Sequence, residues 1–249
     1  MSALGTYQWT VETNGKLRWN DRLKMVANGV RARLETKQRL NAGVKFRYIE
    51  VEDILPPDTA IAREALSLCQ GISEPYLLNH CLRSYFWARL LDDGSRPFDD
   101  EALFASMMLH DMGWTDKHRL IGNTEQCFTI VGAKMALALA SKHGWGEQRA
   151  EVMANAITLH LNITVNEKHG REAQLVRAGT GGDVAWLGMD VLHQDQIDKV
   201  VQKYPRENFK EEATQTLEIE ARERPCCRVA FMFSRLGFKD LIGNAPFTE

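Results

Sequence analysis

Apolar residues recur at helical spacing along most of the chain, and glycine-, proline- or aspartate-rich breaks separate these stretches. Pro56 and Pro57 end the preceding segment, and Asp58 and Thr59 offer a cap for the helix that follows. The pattern therefore predicts an all-α helical bundle. The predicted helices cover residues 20–40, 61–70, 75–91, 98–112, 124–143, 147–161 and 206–222, and an apolar run at 228–238 closes the core.

The N-terminal part of the chain has a different character. Residues 1–20 contain alternating and aromatic residues with two glycines, and we expect a peripheral arm with a short hairpin. We expect residues 1–55 to form an extension whose first helix packs on a core domain of residues 56–249. That helix, predicted over 20–40, has a strongly basic outer face and an apolar stripe formed by Leu23, Met25, Val26, Val30 and Leu34.

Composition narrows the class of protein. The 249 residues are 44% hydrophobic and 26% charged, which is typical of one globular core. The formal charge of -2 predicts no nucleic-acid or membrane partner and favours a small-molecule substrate. The N-terminus does not resemble a signal peptide, so we expect a cytoplasmic protein, with a homo-oligomer left open. The five cysteines lack CxxC spacing, which indicates reduced thiols rather than a thiolate zinc site.

Three histidines fall on inward-facing apolar stripes of three separate predicted helices. They are His80, His110 and His160, and each would lose its hydration there unless it found a partner. Asp111 follows His110 at a helix end, where a buried carboxylate requires a cation or strong hydrogen-bond donors. Imidazole nitrogens mixed with carboxylate oxygens suit Zn(II), Fe(II) or Mn(II) better than Ca(II). The pattern predicts one divalent metal ion, with zinc as the first choice.

The motifs around these residues resemble the HD-domain superfamily of metal-dependent hydrolases, in which an isolated histidine precedes an HD dipeptide and a distant aspartate. The flanking segments are most similar to the cyanamide hydratase group: NHCLRSYFWARLL, LHDMGWT, FTIVGAKMA and ITLHLNITV. The resemblance implies an HD-domain helical bundle. It also implies four metal ligands, namely His80, His110, Asp111 and Asp183.

Asp190 is the rival for the fourth ligand. We prefer Asp183, because we expect it to open the helix that the apolar VAWLGM run would form. Phe128 stands where many dinuclear members of the superfamily carry a further histidine, so the resemblance favours one metal ion. Trp114 and Thr115 follow the HD turn, where phosphohydrolase members often carry a lysine, and an aromatic residue there suits a compact uncharged substrate.

The resulting hypothesis is a metal-dependent hydratase or hydrolase that activates water, with cyanamide to urea as the implied reaction. Asp111 or His160 would move the proton between water and the substrate nitrogen. We expect substrate contacts from the residues that flank the site, namely Trp114, Thr115, His118 and Asn162.

Two alternatives remain open. The first is an HD-type phosphohydrolase of a nucleotide or phosphate monoester, which would need a basic pocket from Lys117, Arg119 and Lys134. The second is a non-catalytic helical module that keeps the metal for stability and binds a small ligand or a partner. The product of turnover distinguishes both from the hydratase: phosphate indicates the first alternative, and the absence of any product indicates the second.

Overall fold

The protein is an all-α molecule. The structure, a computed structural model, describes residues 2–43, 46, 48–119 and 126–249, with Arg119 described by its backbone alone. These residues form thirteen α-helices and contain no β-strand. The helices are α1 (Tyr7–Thr13), α2 (Trp19–Ala42), α3 (Ala60–Ile72), α4 (Pro75–Leu90), α5 (Asp100–Leu109), α6 (Asp116–Arg119), α7 (Thr129–Lys142), α8 (Glu147–Leu159), α9 (Arg171–Ala185), α10 (Gln194–Lys203), α11 (Phe209–Glu223), α12 (Arg228–Arg235) and α13 (Phe238–Gly243).

Seven of these helices confirm helices predicted from the sequence pattern: α2 to α5, α7, α8 and α11; the apolar run expected to close the core forms α12. Their starts follow ordinary capping chemistry. The Thr59 hydroxyl accepts a hydrogen bond from the backbone N–H of Ala62, and Asp99 caps α5 in the same way. Pro75 occupies the first turn of α4, where it removes no helical hydrogen bond. Residues 124 and 125, at the start of one predicted helix, lie outside the described residues.

The hairpin expected within residues 1–20 is wrong, because this segment forms α1. The Thr6 side chain caps that helix by accepting from the backbone N–H of Trp9. The Trp9 ring is buried with Cys127 and Val229, and the Arg228 guanidinium lies over it. Burial of one large aromatic side chain thus holds this short helix in place, although its sequence shows no clear helical stripe.

The position predicted for Asp183 at the opening of a helix is also wrong, because Asp183 lies near the end of α9. The glycine-rich stretch that precedes it is helical. A Cβ atom on Gly179 would lie 2.1 Å from the Ser84 carbonyl oxygen, so the backbones of α4 and α9 are in direct contact. Close packing therefore requires glycine there, despite its poor helix propensity.

The inner helices bring the chemistry-bearing residues to one region. Every residue of α5 from Ala102 to Leu109 is buried. His110 is the C-cap of α5, His160 is the C-cap of α8, and His80 lies in the buried middle of α4. The core therefore places three helical segments around a single point.

Helix α2 lies apart from this core. Only Asp21 and Met25 of α2 are buried, and the other four residues of its predicted apolar stripe are exposed. Val26 and Val30 line a large cavity that opens toward the three histidines. The C-terminal end of α2 is held by an ion pair between Arg39 and Asp190 at 2.8 Å. Among the described helices, none combines the length and hydropathy needed to cross a membrane.

Replacing Gly179 with alanine is expected to destabilise the protein. The added methyl group would overlap the Ser84 carbonyl oxygen, and overpacking of this kind costs about 1–3 kcal/mol. Gly71 in α3 is the matched control, because a Cβ there would meet no described atom within 4 Å. Gly71→Ala is expected to be neutral or stabilising by up to about 1 kcal/mol. Urea unfolding measures both, and equal midpoints would contradict the close helix contact.

The carboxyl group of Glu220 in α11 is buried away from the histidines. Its Oε1 atom has no hydrogen-bond partner among the described residues, and its Oε2 atom accepts from Arg224. Burial raises the pKa of Glu220 to about 7, although the Arg224 guanidinium partly opposes this. An unfolded glutamate titrates near about 4.3. The folded state therefore binds this proton more tightly, and the resulting stability is lost as the pH rises from about 4 to about 7.

We expect Glu220→Gln to flatten the fall in unfolding free energy between about pH 5 and pH 8, by an amount on the order of 3 kcal/mol. The amide carries no charge at any pH, so the titration disappears. Glu211→Gln, on the exposed side of the same helix, is the control and should keep the wild-type slope. Urea unfolding at several pH values gives the measurement. A wild-type slope in Glu220→Gln would refute the assignment.

Candidate metal centre

His80, His110 and Asp111 form a buried cluster whose candidate ligand atoms all lie within 4.8 Å of one another. The Nε2 atoms of His80 and His110 are 3.1 Å apart. Asp111 Oδ2 lies 3.1 Å from His110 Nε2 and 3.4 Å from His80 Nε2. All three side chains are essentially inaccessible to solvent. Three groups with lone pairs therefore face one another in the absence of bulk water.

The opposite ring nitrogens show which tautomer each histidine adopts. The Nδ1 of His110 lies 2.7 Å from the Met107 carbonyl oxygen, and the Nδ1 of His160 lies 2.6 Å from that of Ile157. A carbonyl oxygen only accepts, so both Nδ1 atoms carry the proton. The Nε2 atoms of the neutral rings are then lone pairs. Two such lone pairs 3.1 Å apart repel each other unless a proton or a cation lies between them.

The same argument holds for His80, whose Nδ1 donates to Asp183 Oδ2 at 2.8 Å. The same arrangement is thus found in His80, His110 and His160. The outer nitrogen, Nδ1, donates to a fixed acceptor, and the inner nitrogen, Nε2, faces the cluster. Metal-binding histidines are commonly oriented in this way. His160 Nε2 lies 3.6 Å from Asp111 Oδ1, which makes it a third imidazole beside the cluster.

Asp111 is charged despite its burial. Burial by itself raises the pKa of Asp111, but His110, His80 and His160 outweigh it and hold that pKa well below its usual range. Burial lowers the pKa of His160 to about 3, so its ring is neutral at physiological pH. Asp111 Oδ1 has no hydrogen-bond partner among the described residues. A buried anionic oxygen without a donor indicates a position that a cation would stabilise.

The donor set fits a divalent transition metal. Metal–nitrogen and metal–oxygen bonds of about 2.0–2.1 Å place tetrahedral ligands about 3.3 Å apart. The three distances within the cluster, 3.1, 3.1 and 3.4 Å, match that spacing. Two imidazole nitrogens and a carboxylate oxygen are ligands that zinc, iron and manganese accept. Phe128, whose ring packs on Trp114 and lies 6.0 Å from the His160 ring, offers no ligand atom, and a single ion stays a prediction.

The structure places Asp183 on the far side of His80, outside the cluster. Both of its carboxylate oxygens are already occupied by donors. Arg83 donates to them at 2.7 and 2.9 Å, Trp87 Nε1 donates at 2.8 Å, and Arg206 lies 3.4 Å away. Burial raises the pKa of Asp183, but the two guanidinium groups outweigh it and hold that pKa well below its usual range. Asp183 therefore contacts His80 Nδ1 and leaves the inner nitrogen free.

Four residues around His80 were missed by the sequence analysis. Arg83, Trp87 and Arg206 surround Asp183, and the Phe209 ring stacks on the His80 ring with centroids 4.6 Å apart. A signal existed for the first two, since Arg83 and Trp87 lie one and two turns after His80 on the same predicted helix. The other two come from a different part of the chain. Asp190, the rival ligand, pairs with Arg39 instead.

The predicted substrate contacts divide into two groups. Trp114 and Asn162 line the cavity over the cluster, whereas Thr115 and His118 are not among its lining residues. The Trp114 Nε1 atom is buried and has no hydrogen-bond partner in the described part of the chain. The Asn162 side chain is occupied, because its amide donates to Leu4 and its oxygen accepts from Arg228. The Thr115 hydroxyl donates to the Met112 carbonyl oxygen at 2.8 Å.

A cavity of about 690 Å³ connects the cluster to the outside. His80, His110, Asp111 and His160 lie along its wall, and α2 forms the opposite side. A volume of this size is typical of a small-molecule site. The fold and the site together define an all-α protein with a buried His–His–Asp centre at the base of a ligand-sized cavity.

Comparison with known proteins finds two distant relatives, both cyanamide hydratases. Cyanamide hydratase DDI2 and cyanamide hydratase DDI3 of Saccharomyces cerevisiae (strain ATCC 204508 / S288c) are each 23% identical to the chain over 155 residues. The alignments cover 61% of this chain and 68% of each relative. No family model matches the chain. The chain is thus similar to cyanamide hydratases, but at low sequence identity. Membership of the HD-domain superfamily stays a prediction.

Asp183→Asn is expected to weaken metal binding about 10- to 100-fold without changing the one-ion stoichiometry, because Asp183 orients His80 rather than binding the ion. His110→Ala is expected to lose the ion after dialysis. Metal content by mass spectrometry, followed by chelator competition, measures both effects.

Asp183→Asn also leaves two guanidinium groups unbalanced, so circular dichroism must first show that it folds. Trp87→Phe keeps every charge and removes one donor to Asp183; it should show a smaller loss of affinity in the same direction. A folded Asp183→Asn protein that binds no metal would identify Asp183 as a ligand and overturn this assignment.

Proposed function

We propose that the protein is a metal-dependent hydratase that adds water to an electron-poor carbon of a small molecule, with cyanamide to urea as the model reaction. The observation that carries the proposal is the convergence of imidazole Nε2 atoms on the Asp111 carboxylate in a buried site. The distant similarity to two cyanamide hydratases supports the reaction class. The HD-type ligand pattern predicted from the sequence is part of the same proposal.

In this proposal His80, His110 and Asp111 hold the ion. When bound, a divalent ion supplies Lewis acidity that lowers the pKa of coordinated water from about 16 to about 7. Asp183 holds the His80 ring in the correct tautomer through its Nδ1 proton. The Phe209 ring stacks on one face of the His80 ring and excludes water from that face.

Proton movement is assigned to Asp111 and His160. The Oδ1 atom of Asp111 and the Nε2 atom of His160 are 3.6 Å apart, and each has a free lone pair. One of them would take the proton that water loses and return it to the substrate nitrogen. The Trp114 Nε1–H group is buried without a partner among the described residues, and the Trp114 side chain lines the cavity, so we assign it as the donor to nitrogen as negative charge develops there.

The phosphohydrolase alternative gains no support from the residues predicted for it. Lys117 and Lys134 are exposed, and neither lines the cavity. The side chain of Arg119 lies outside the described residues. The non-catalytic alternative predicts a metal-containing protein without turnover, so it is decided by the activity measurement.

We expect the metal-loaded protein to produce urea from cyanamide. The experiment removes metal with a chelator, restores zinc, iron or manganese separately, and measures urea. His110→Ala should reduce the rate to the level of the metal-free protein, because one ligand is lost. His143→Ala is the matched control, since His143 pairs with Glu64 away from the cluster, and it should retain the wild-type rate.

A second arm incubates the same metal-loaded samples with a panel of nucleotides and measures phosphate. Phosphate release without urea would replace the hydratase with the phosphohydrolase. Absence of turnover on cyanamide, simple nitriles and nucleotides with every metal would favour the non-catalytic module.

A further inference from the structure

The cavity over the metal centre is much larger than cyanamide. A water molecule occupies about 30 Å³ in the liquid, so a molecule of three non-hydrogen atoms would fill roughly a tenth of the 690 Å³ available. Much of the wall is apolar and would exclude water from an apolar ligand rather than hydrogen-bond a small polar one. The apolar wall includes Val26, Val30, Leu161, Val184, Leu187 and Met232.

Arg177 of α9 interrupts this apolar wall. Its side chain is partly buried, and its Nε atom donates to the Asn162 carbonyl oxygen over a long 3.4 Å. In the described part of the chain, no carboxylate forms an ion pair with it. Burial, together with the neighbouring Arg39, lowers the pKa of Arg177 to about 10. Its guanidinium therefore remains charged at physiological pH in a position where a charge is unfavourable.

Two other guanidinium groups that line the cavity, Arg33 and Arg235, are exposed to solvent, and Arg33 donates to the Leu236 carbonyl oxygen. Arg83 pairs with Asp183, Arg206 pairs with Asp183 and Glu249, and Arg39 pairs with Asp190. Arg228 donates to the Thr158 carbonyl and to the Asn162 side chain, and it does not line the cavity. Among the described guanidinium groups that line the cavity, Arg177 is thus the partly buried one without a carboxylate partner.

Arg177 and the metal-centre residues line the same cavity. Its Nε contact is Asn162, which follows His160 by two residues, so the guanidinium is anchored to the segment that carries the third imidazole. A planar guanidinium matches a carboxylate or a phosphate with two parallel hydrogen bonds. An anion placed there would restore the missing charge balance.

We infer that the cavity binds an organic anion with an apolar body, whose carboxylate or phosphate group pairs with Arg177 while its other end lies against His80, His110 and Asp111. The identification of this molecule as the substrate rests on the proposed hydratase function, whereas its binding does not. The substrate class is then an apolar nitrile or related compound that carries an acidic group.

The test uses three probes with the same alkyl chain and a nitrile at one end. The other end is a carboxylate in ω-cyanohexanoate, a phosphate in the corresponding cyanoalkyl phosphate, and a neutral amide in ω-cyanohexanamide. Titration calorimetry with the metal-loaded protein measures each affinity. We expect at least one anion to bind about tenfold or more tightly than the amide, which is the contribution of one charge-assisted pair.

Variants of two cations along the cavity make the test specific. Arg177→Met removes the charge and keeps the side-chain length, and it should abolish the preference for the anion. Arg177→Lys keeps the charge and should retain much of it. Lys37→Met is the matched control, because Lys37 is an exposed cation on the same cavity, and it should change the preference by less than about twofold. Thermal unfolding verifies that each variant folds.

A last measurement locates the probe. Arg177 also borders a neighbouring groove of about 850 Å³ that does not include the metal-centre residues. With paramagnetic Mn²⁺ bound, nuclear magnetic relaxation of the probe should be fastest for the methylene beside the nitrile and slower beside the acidic group. Uniform or reversed relaxation would place the anion in that groove and overturn the inference.

The remaining outcomes separate the two proposals. Equal affinities for anions and amide, or a preference that survives Arg177→Met, would overturn the inference about Arg177 whether or not urea is formed. An Arg177-dependent preference with no hydration of any nitrile would leave the anion site in place and overturn the hydratase function instead.

Discussion

The structure depends on the side chains of His80, His110 and Asp111, whose lone pairs are held close together in the absence of bulk water. Three imidazole rings donate their Nδ1 protons to fixed acceptors, so their Nε2 atoms turn toward the Asp111 carboxylate. Such an arrangement is repulsive between the rings and leaves a buried anion short of donors. Both problems disappear when a cation occupies the centre. The ends of α5 and α8 and the middle of α4 are packed around this point.

Charge balance extends outward from that centre through His80. Its outer proton goes to Asp183, and Asp183 is held between the guanidinium groups of Arg83 and Arg206. The stacked ring of Phe209 fixes the plane of the histidine. A single carboxylate thus connects α4, α9 and the start of α11. Because its oxygens already accept from His80, Arg83 and Trp87, Asp183 is placed to orient the histidine.

The cavity gives this centre its environment. Apolar walls lower the local dielectric, so the few polar groups that reach the cavity have a larger effect than they would have in water. Trp114 contributes an unpaired N–H donor near the imidazoles, and Arg177 contributes an uncompensated charge farther along the wall. The part of the cavity beside the histidines is suited to polar chemistry. The apolar wall that carries Arg177 is suited to selecting an amphiphilic molecule.

The sequence alone determined the all-α class, seven of the helices and the residues that could meet a metal, because apolar periodicity and buried polar residues leave a local pattern. Tertiary structure decided the rest. Helix α1 forms because Trp9 finds a buried place, and α9 continues through its glycines because Gly179 lies against another backbone. Asp183 and His160 have positions that depend on which nitrogen faces which neighbour. For Asp183 the neighbour is His80 on a distant helix, which spacing along one chain does not record, whereas for His160 it is the Ile157 carbonyl oxygen at the end of its own helix.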